Sequence, residues 1–385
     1  MGKKINTSII HSGSDPKIHF GSINDPIYKN STLVFDDYKS FIKAKKNKFK
    51  APYYGRISTY TTRRFEKLIC SLYKSKYGIV TCSGLSAITL VLTSLLKEKD
   101  EILITENCYE PVYNFATKEL GKFGVKSFFF PCNKKIEKFL TKKTRLIYIE
   151  SPGSLNFEVE DIEQIVKIAK KKKIITILDN TWSTFYGFNP LKYGVDIVIE
   201  SATKYFSGHS DNFLGIIALS SSNLRKIIKQ TVTRFGDFVS PESCFNASKG
   251  LRTLKVRMNK HSLNAEKIFY FLKDHKLVDN IIYLPDKNNK NNLLWKKYHS
   301  VNNGLITFSI KKKKLINKFI DKLRLFKIGF SWGGYESLIL PIKNLKPSQK
   351  MTINSKYWFR IHVGLESAID LIDDLENALK NYEKQ

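Results

Sequence analysis

Short apolar runs recur through the middle of the chain, each bounded by polar or glycine-containing turns. Residues 79–81, 101–105, 145–149, 174–179, 195–199 and 214–218 are too short for helices and rich in Ile, Val and Leu, so each predicts a strand. Residues 87–96 and 161–171 read as helical segments between them. Strands alternating with helical segments predict a mostly parallel sheet with crossover helices. Beyond about residue 249 the pattern changes. There 251–273 reads as a long helix with Arg252 and Arg257 on its basic side, 285–297 as an Asn- and Lys-rich surface loop, and 304–310 as a strand. A helix over 311–325 and a glycine-softened turn at 330–334 follow, then an alternating strand at 358–363 and an amphipathic helix over 368–382. Residues 1 to about 50 are polar and broken, as in an extended arm. The expected organisation is an arm over 1–56, an α/β domain over 57–248 and a smaller α+β domain over 249–385.

Candidate chemistry gathers where these strands end. S-A-T-K-Y-F-S-G-H-S-D at 201–211 places Lys204 just past the 195–199 strand, between the hydroxyls of Ser201 and Thr203 and a turn at Gly208. Partial burial and nearby cations favour a neutral amine, the form that imine chemistry needs. The flanking hydroxyls suit a phosphate. A solvated lysine at a strand end fits the same stretch about equally well. Asp179 closes the 174–179 run, and ligands of open α/β sheets bind beyond the carboxyl ends of the strands. An imine-forming lysine and a carboxylate that keeps a pyridine nitrogen protonated are what pyridoxal phosphate requires. Alone, Asp179 reads equally as a turn or capping residue; beside Lys204 the cofactor reading leads. The small-residue turn at 83–86 opens a helix, whose free N–H groups and dipole favour a phosphate, although many such turns merely join elements. Tyr109 follows the 101–105 strand, where a phenol can stack on a ring and help move a proton, or simply pack. Arg360 offers a guanidinium fork to a carboxylate, or is an edge-strand surface residue.

D-N-T-W at 179–182, S-A-T-K-Y at 201–205 and G-H-S-D at 208–211 stand with Y-G-R at 54–56, Y-E-P at 109–111 and E-S-P-G-S at 150–154. K-G-L-R-T-L at 249–254 and S-W-G-G-Y-E-S-L-I at 331–339 complete the series. In this order, over essentially the whole chain, they resemble the cystathionine-processing enzymes of the Cys/Met-metabolism pyridoxal-phosphate family. The resemblance implies a fold-type I PLP-dependent transferase-like α/β architecture, with a mostly parallel seven-stranded-type sheet. It implies that Lys204 carries the cofactor and acts in catalysis with Tyr109. Asp179, Gly84, Leu85, Ser201, Thr203 and Tyr109 would bind the cofactor, joined by Tyr54 and Arg56 reaching in from a neighbouring subunit. Arg360, Ser331, Trp332 and Tyr54 would contact an amino-acid substrate. The implied assembly is a homo-oligomer, a tetramer of two catalytic dimers whose arms embrace their neighbours. The implied reaction is β-elimination from L-cystathionine to L-homocysteine, pyruvate and ammonia, as in methionine biosynthesis. The γ-acting branch, synthase or lyase, and cysteine desulfhydration are the alternatives. The γ-acting members tend to carry an acidic residue before the turn serine and a leucine after it, where this chain has Phe330 and Trp332. E-S-P-G-S-L lacks the Asn-Pro of many relatives, and Thr233 stands where the β-acting branch carries a tyrosine.

The formal net charge of +30 would ordinarily raise a nucleic-acid reading. Here it comes mainly from lysines spread along the chain and accompanied by Asn, Ile, Phe and Tyr, a compositional bias rather than one binding face. No specific nucleic-acid motif is present, and His209 and His362 lack metal-ligand spacing. A catalytically dead basic binding protein is the different-class alternative; the intact Lys204, Asp179 and Arg360 argue against it. Five scattered cysteines without C-x-x-C spacing read as reduced thiols. No apolar run reaches membrane-spanning length, and the polar N-terminus lacks a signal-peptide centre, so a cytoplasmic location is expected.

Overall fold

The computed structural model of the chain describes residues 5–13, 15–132, 134–311, 315–342 and 357–384. Its larger sheet holds β1 (Tyr77–Thr81), β2 (Glu101–Thr105), β3 (Lys126–Phe130), β4 (Thr144–Glu150), β5 (Ile175–Asp179), β6 (Ile197–Ser201) and β7 (Gly215–Leu219). The strand order is β1-β7-β6-β5-β4-β2-β3. Pairings from β3 across to β6 are parallel, and β7 runs antiparallel between β6 and β1. The six strands expected from sequence are all present, in a mostly parallel α/β sheet. The seventh, β3, was not anticipated. Its side chains alternate between exposed and covered at the sheet edge, so Lys126 and Ser127 hide the apolar signal that marks the buried strands.

Both faces of this sheet are covered. On one, Ile79, Ile102, Tyr148, Ile177 and Ile199 pack with Ala87 and Val91 of the Gly84–Leu95 helix. On the other, Val80, Leu103, Ile147, Leu178 and Val198 pack with Phe65, Leu68 and Ile69 of the Tyr60–Tyr73 helix and with Ile165 of the Ile162–Lys171 helix. Burying each such side chain stabilises by about 1.5–3 kcal/mol, enough to hold both helix layers against a sheet with no polar face.

A smaller sheet follows, in the order β10-β11-β12-β9-β8, built from β8 (Val278–Ile282), β9 (Leu305–Ile310), β10 (Lys327–Ile328), β11 (Leu338–Ile342) and β12 (Tyr357–His362). Several expectations are corrected here. The long helix at 251–273 is the second of two, Pro241–Leu251 and Leu254–Asp274, separated at Arg252 and Thr253. Arg257 is buried instead of lying on a basic surface, because backbone carbonyls within the fold take its donors. The surface loop at 285–297 contains the Asn292–Tyr298 helix; Asn292 is buried, its amide donating to the Leu284 carbonyl at 2.7 Å. The helix at 311–325 shrinks to Asn317–Ile320 among the described residues, 312–314 lying outside them. Strands β8, β10 and β11 were missed. The arm carries short helices at Ile5–His11 and Tyr38–Lys46, and Ile9 of the first is buried in the core. No helix among the described residues is long and apolar enough to cross a membrane.

One carboxylate organises the connection into β10. Asp374, buried on the Ala368–Lys384 helix, accepts the backbone N–H groups of Arg324 at 2.7 Å, Leu325 at 2.9 Å and Phe326 at 3.1 Å. Removing it strands these donors away from water. Asp374→Ala is expected to destabilise the protein by about 2–4 kcal/mol in urea unfolding, with Asp374→Asn losing less. A loss under about 0.5 kcal/mol for the alanine variant would show that water replaces the carboxylate.

Candidate active site

At the carboxyl edge of the larger sheet, the turn after β6 carries Lys204. Its Nζ donates to Ser331 Oγ at 2.5 Å and stands 5.6 Å from the centre of the Trp332 ring. Burial, helped by the Arg360 cation, pulls the lysine pKa from its ordinary 10.5 down to about 8. The turn bearing Ser331 and Trp332 belongs to the smaller sheet and lies directly on the lysine loop. That approach needs a glycine: a Cβ on Gly333 would sit 2.7 Å from the Tyr205 nitrogen and 3.1 Å from Lys204 Cα. Ser331 itself has φ +93°, a conformation costing about 1–3 kcal/mol and kept by the contacts on either side.

Arg360 comes from β12 and is buried. Its Nη1 donates to the Ser154 carbonyl at 3.3 Å and its Nη2 to the Ser331 carbonyl at 3.4 Å. No carboxylate forms an ion pair with it among the described residues, and burial lowers its pKa to about 10. Asp179, at the end of β5, has the complementary deficit. Its Oδ2 accepts from the Tyr148 hydroxyl at 3.2 Å and its Oδ1 from the Thr181 N–H at 2.9 Å, with no ion-paired cation among the described residues. Burial pushes its carboxyl above the usual value against both hydrogen bonds. Tyr109 is about half exposed; its N–H donates to the Glu150 carboxylate at 2.6 Å, and its phenol feels the charges of Glu150, Arg360 and Asp179.

The Gly84–Leu95 helix points its N-terminus at this edge. Ser83 caps it through Ser86 N–H at 3.1 Å, and the amides of Gly84 and Leu85 lie in the first turn, which has no partners within the helix. A Cβ on Gly84 would sit 2.5 Å from Ser201 Cβ and 2.7 Å from its hydroxyl, so the helix end and the end of β6 form one cradle that only glycine leaves open. Thr203 Oγ1 accepts from Leu214 N–H at 3.1 Å, leaving its own proton to donate.

Lys204, Ser331, Trp332 and Arg360 are thus in contact, with Asp179 and Tyr109 within electrostatic reach and the Gly84, Leu85, Ser201 and Thr203 cradle beside them. Tyr54 and Arg56 form no hydrogen bond or ion pair with these residues among the described ones: Arg56 Nη1 donates to the Thr233 carbonyl at 2.8 Å, and Tyr54 is exposed. Sequence reasoning missed Tyr148 and Thr181, which hold Asp179, and Glu150, which anchors Tyr109 although its motif was noticed. It also missed Asp237, whose carboxylate accepts Cys82 N–H at 3.0 Å and the Ser86 hydroxyl behind the cradle. Nothing in the sequence around Asp237 announces that contact. His209 and His362 hydrogen-bond to the carbonyls of Ser207 at 2.7 Å and Glu336 at 3.0 Å.

The residues fit pyridoxal phosphate: a desolvated carboxylate without a cation for the ring nitrogen, an amine of lowered pKa for the aldehyde, and an open cradle of amides and hydroxyls for the phosphate. Comparison with known proteins agrees. An L-alanine/L-glutamate racemase of Wolbachia pipientis wMel is 32% identical over 96% of this chain and 96% of its own. A cystathionine beta-lyase of Escherichia coli (strain K12) is 31% identical over 97% and 98%. The crystal structure of a cystathionine gamma-lyase from Lactobacillus plantarum, complexed with L-serine, superposes with a TM-score of 0.91 at 28% identity, covering 99% of this chain and 100% of that one. The family model for Cys/Met metabolism PLP-dependent enzymes matches residues 6–380, and with relatives above 30% identity along nearly the whole length, the chain belongs to that family.

Proposed function

We propose that this pyridoxal-phosphate enzyme splits L-cystathionine at Cβ, giving L-homocysteine, pyruvate and ammonia with uptake of one water. The observation that carries the reading is the contact of Lys204 with Ser331 and Trp332 under Arg360. When bound, the cofactor supplies an electron-accepting ring for charge developing at Cα. The other functions belong to the chain. Arg360, buried without an ion pair among the described residues, takes the substrate α-carboxylate and fixes the Cα–H bond toward Lys204; such positioning can remove several kcal/mol from a barrier. Lys204, with its pKa near working pH, accepts the Cα proton and returns it later. Asp179 would hold the positive charge of the ring nitrogen and Tyr109 would pack against the ring, while Gly84, Leu85, Ser201 and Thr203 would hold the phosphate.

The choice of β over γ chemistry rests on the wall of the site. γ-Elimination needs a second deprotonation at Cβ and departure of a group from Cγ. Phe330, largely exposed at the turn, and Trp332 present apolar surface where an acidic side chain would otherwise hold the substrate in a γ-specific pose. With Arg56 donating to the Thr233 carbonyl and Tyr54 exposed, these two residues are read as completing the site of a second copy, in a dimer or a pair of dimers. The division into an arm over 1–56, a cofactor domain over 57–248 and a C-terminal domain over 249–385 is part of the same proposal.

Two experiments test this reading. Borohydride reduction followed by peptide mapping should place the pyridoxyl label on Lys204. In cofactor-free protein the rate of cofactor uptake should rise about tenfold per pH unit and level off near pH 8, since the ammonium form, dominant below that pKa, does not react. A label on another lysine, or a rate still climbing toward the ordinary lysine value of 10.5, would sink the assignment.

Separating the 2-oxo acids formed from L-cystathionine decides the cleavage side. Pyruvate should exceed 2-oxobutyrate at least about tenfold, which needs only ~1.4 kcal/mol between the transition states. Equal amounts or more 2-oxobutyrate would assign the enzyme to γ chemistry, and interconversion of amino-acid enantiomers without either product would point to racemisation.

A further inference from the structure

Behind the lysine loop lies a buried cation that the proposed reaction leaves unused. Arg257, in the first turn of the Leu254–Asp274 helix, is only 5% exposed. Its Nη1 donates to the Tyr205 carbonyl at 2.8 Å, its Nη2 to the Gly250 carbonyl at 2.7 Å and its Nε to Thr253 Oγ1 at 3.0 Å. No carboxylate pairs with it among the described residues, and burial lowers its pKa to about 10. A charge kept out of water without a counter-ion is expensive, and neutral acceptors offset that cost only when several converge on it. Here each donating nitrogen is directed at a separate oxygen.

These oxygens come from two places. Gly250 and Thr253 stand at the junction between the Pro241–Leu251 and Leu254–Asp274 helices, whereas the Tyr205 carbonyl belongs to the residue directly after Lys204. Two glycines let the parts close up. A Cβ on Gly208, whose φ is +72°, would sit 1.9 Å from Arg257 Nη1, and one on Gly250 would sit 1.9 Å from the Ser207 carbonyl oxygen. Asn212 adds a tie, its amide donating to Ser207 Oγ at 3.1 Å and the Ser243 carbonyl at 2.9 Å. The loop from Lys204 to Gly208 is therefore seated on the helix junction with the guanidinium as the fastener.

We infer that Arg257 is a positioning residue for Lys204, seating the turn that carries it so that Nζ stays on the Ser331 side of the site. The inference rests on Lys204 being the cofactor lysine. Its physical content is directional. Lys204 is tied within its own turn, its N–H donating to the Ser201 carbonyl at 3.2 Å and its carbonyl accepting from Gly208 N–H at 2.8 Å, and the bond from Arg257 to the Tyr205 carbonyl anchors that turn as a unit to the helix junction. Without that bond the amine keeps its reach but loses its aim, and errors of about 1 Å in such geometry cost on the order of a hundredfold in rate.

The test compares wild type, Arg257→Met and Arg257→Lys as holoenzymes. For folded Arg257→Met, kcat should fall at least about tenfold with KM within about threefold, the absorption band of the bound cofactor should shift, and borohydride should label Lys204 more slowly. Arg257→Lys, which keeps a cation able to reach one carbonyl, should recover part of each. A merely structural arginine would lower Tm while leaving kcat, band and labelling rate of the folded protein within twofold of wild type, and that result overturns the inference. If the methionine variant does not fold, the same criteria apply to Arg257→Lys and to Thr253→Val, which removes the Nε acceptor and the hydroxyl's own bond to the Gly250 carbonyl. Label on Lys204 in wild type with unaltered variants refutes the role of Arg257 alone; label on another lysine in wild type removes both readings together.

Discussion

Desolvated charge that no ion pair compensates among the described residues is the constraint on which this molecule is built. Lys204, Asp179 and Arg360 stand at one end of the larger sheet, removed from water and without an ion pair to one another among the described residues. Left uncompensated, such groups cost free energy and shift their pKa values toward neutrality, as the lowered lysine and arginine and the raised aspartate show. A bound zwitterionic substrate and a phosphorylated pyridine would return the missing counter-charges. Stability is given up at this edge so that binding can restore it.

The remainder of the fold sets up that edge. Parallel β4 and β5 end level, Glu150 opposite Asp179, and β6 runs two residues past Ile199, the partner of Asp179, to Ser201, so all three arrive at one edge without any long loop to place them. The apolar strands and covering helices make the platform rigid. The smaller sheet then supplies what the larger one lacks, Arg360 from β12 and the Ser331 turn. Close contact between the units depends on glycines, with Gly333 against the backbone of Lys204 on one side and Gly208 against the guanidinium of Arg257 on the other. Side chains at these glycines would hold the units apart.

The sequence was most readable where burial was total. β2 was found at its true limits because Glu101 to Thr105 are all covered, and β5 and β6 within a residue or two for the same reason. β3, at an edge, and β8, with no fully buried residue, gave no such run. The long helix was misread because its apolar spacing continues across Arg252 and Thr253, and no proline or glycine at the break itself marks it. Within the candidate site, residues carried by motifs were visible: Lys204 contacts Ser331 and Trp332, Arg360 donates to the Ser331 carbonyl, and Asp179 ends the neighbouring strand. Those defined only by a partner distant in sequence were not. Tyr148 serves Asp179 across neighbouring strands, and Arg257 looked like a surface cation until the fold placed Tyr205 and Gly250 over it.

The contact between Lys204 and the Ser331 turn also has a meaning in time. The lysine is translated well before the turn and the β12 arginine that, together with burial, lower its pKa. During synthesis the earlier part of a chain is free to fold first. A platform formed at that stage would lack the Arg360 cation and the cover of the turn, so its lysine would keep a pKa nearer the ordinary value and react with aldehydes only through a small neutral fraction. Docking of the last strand would enlarge that fraction, so the reactivity of the amine grows with completion of the fold.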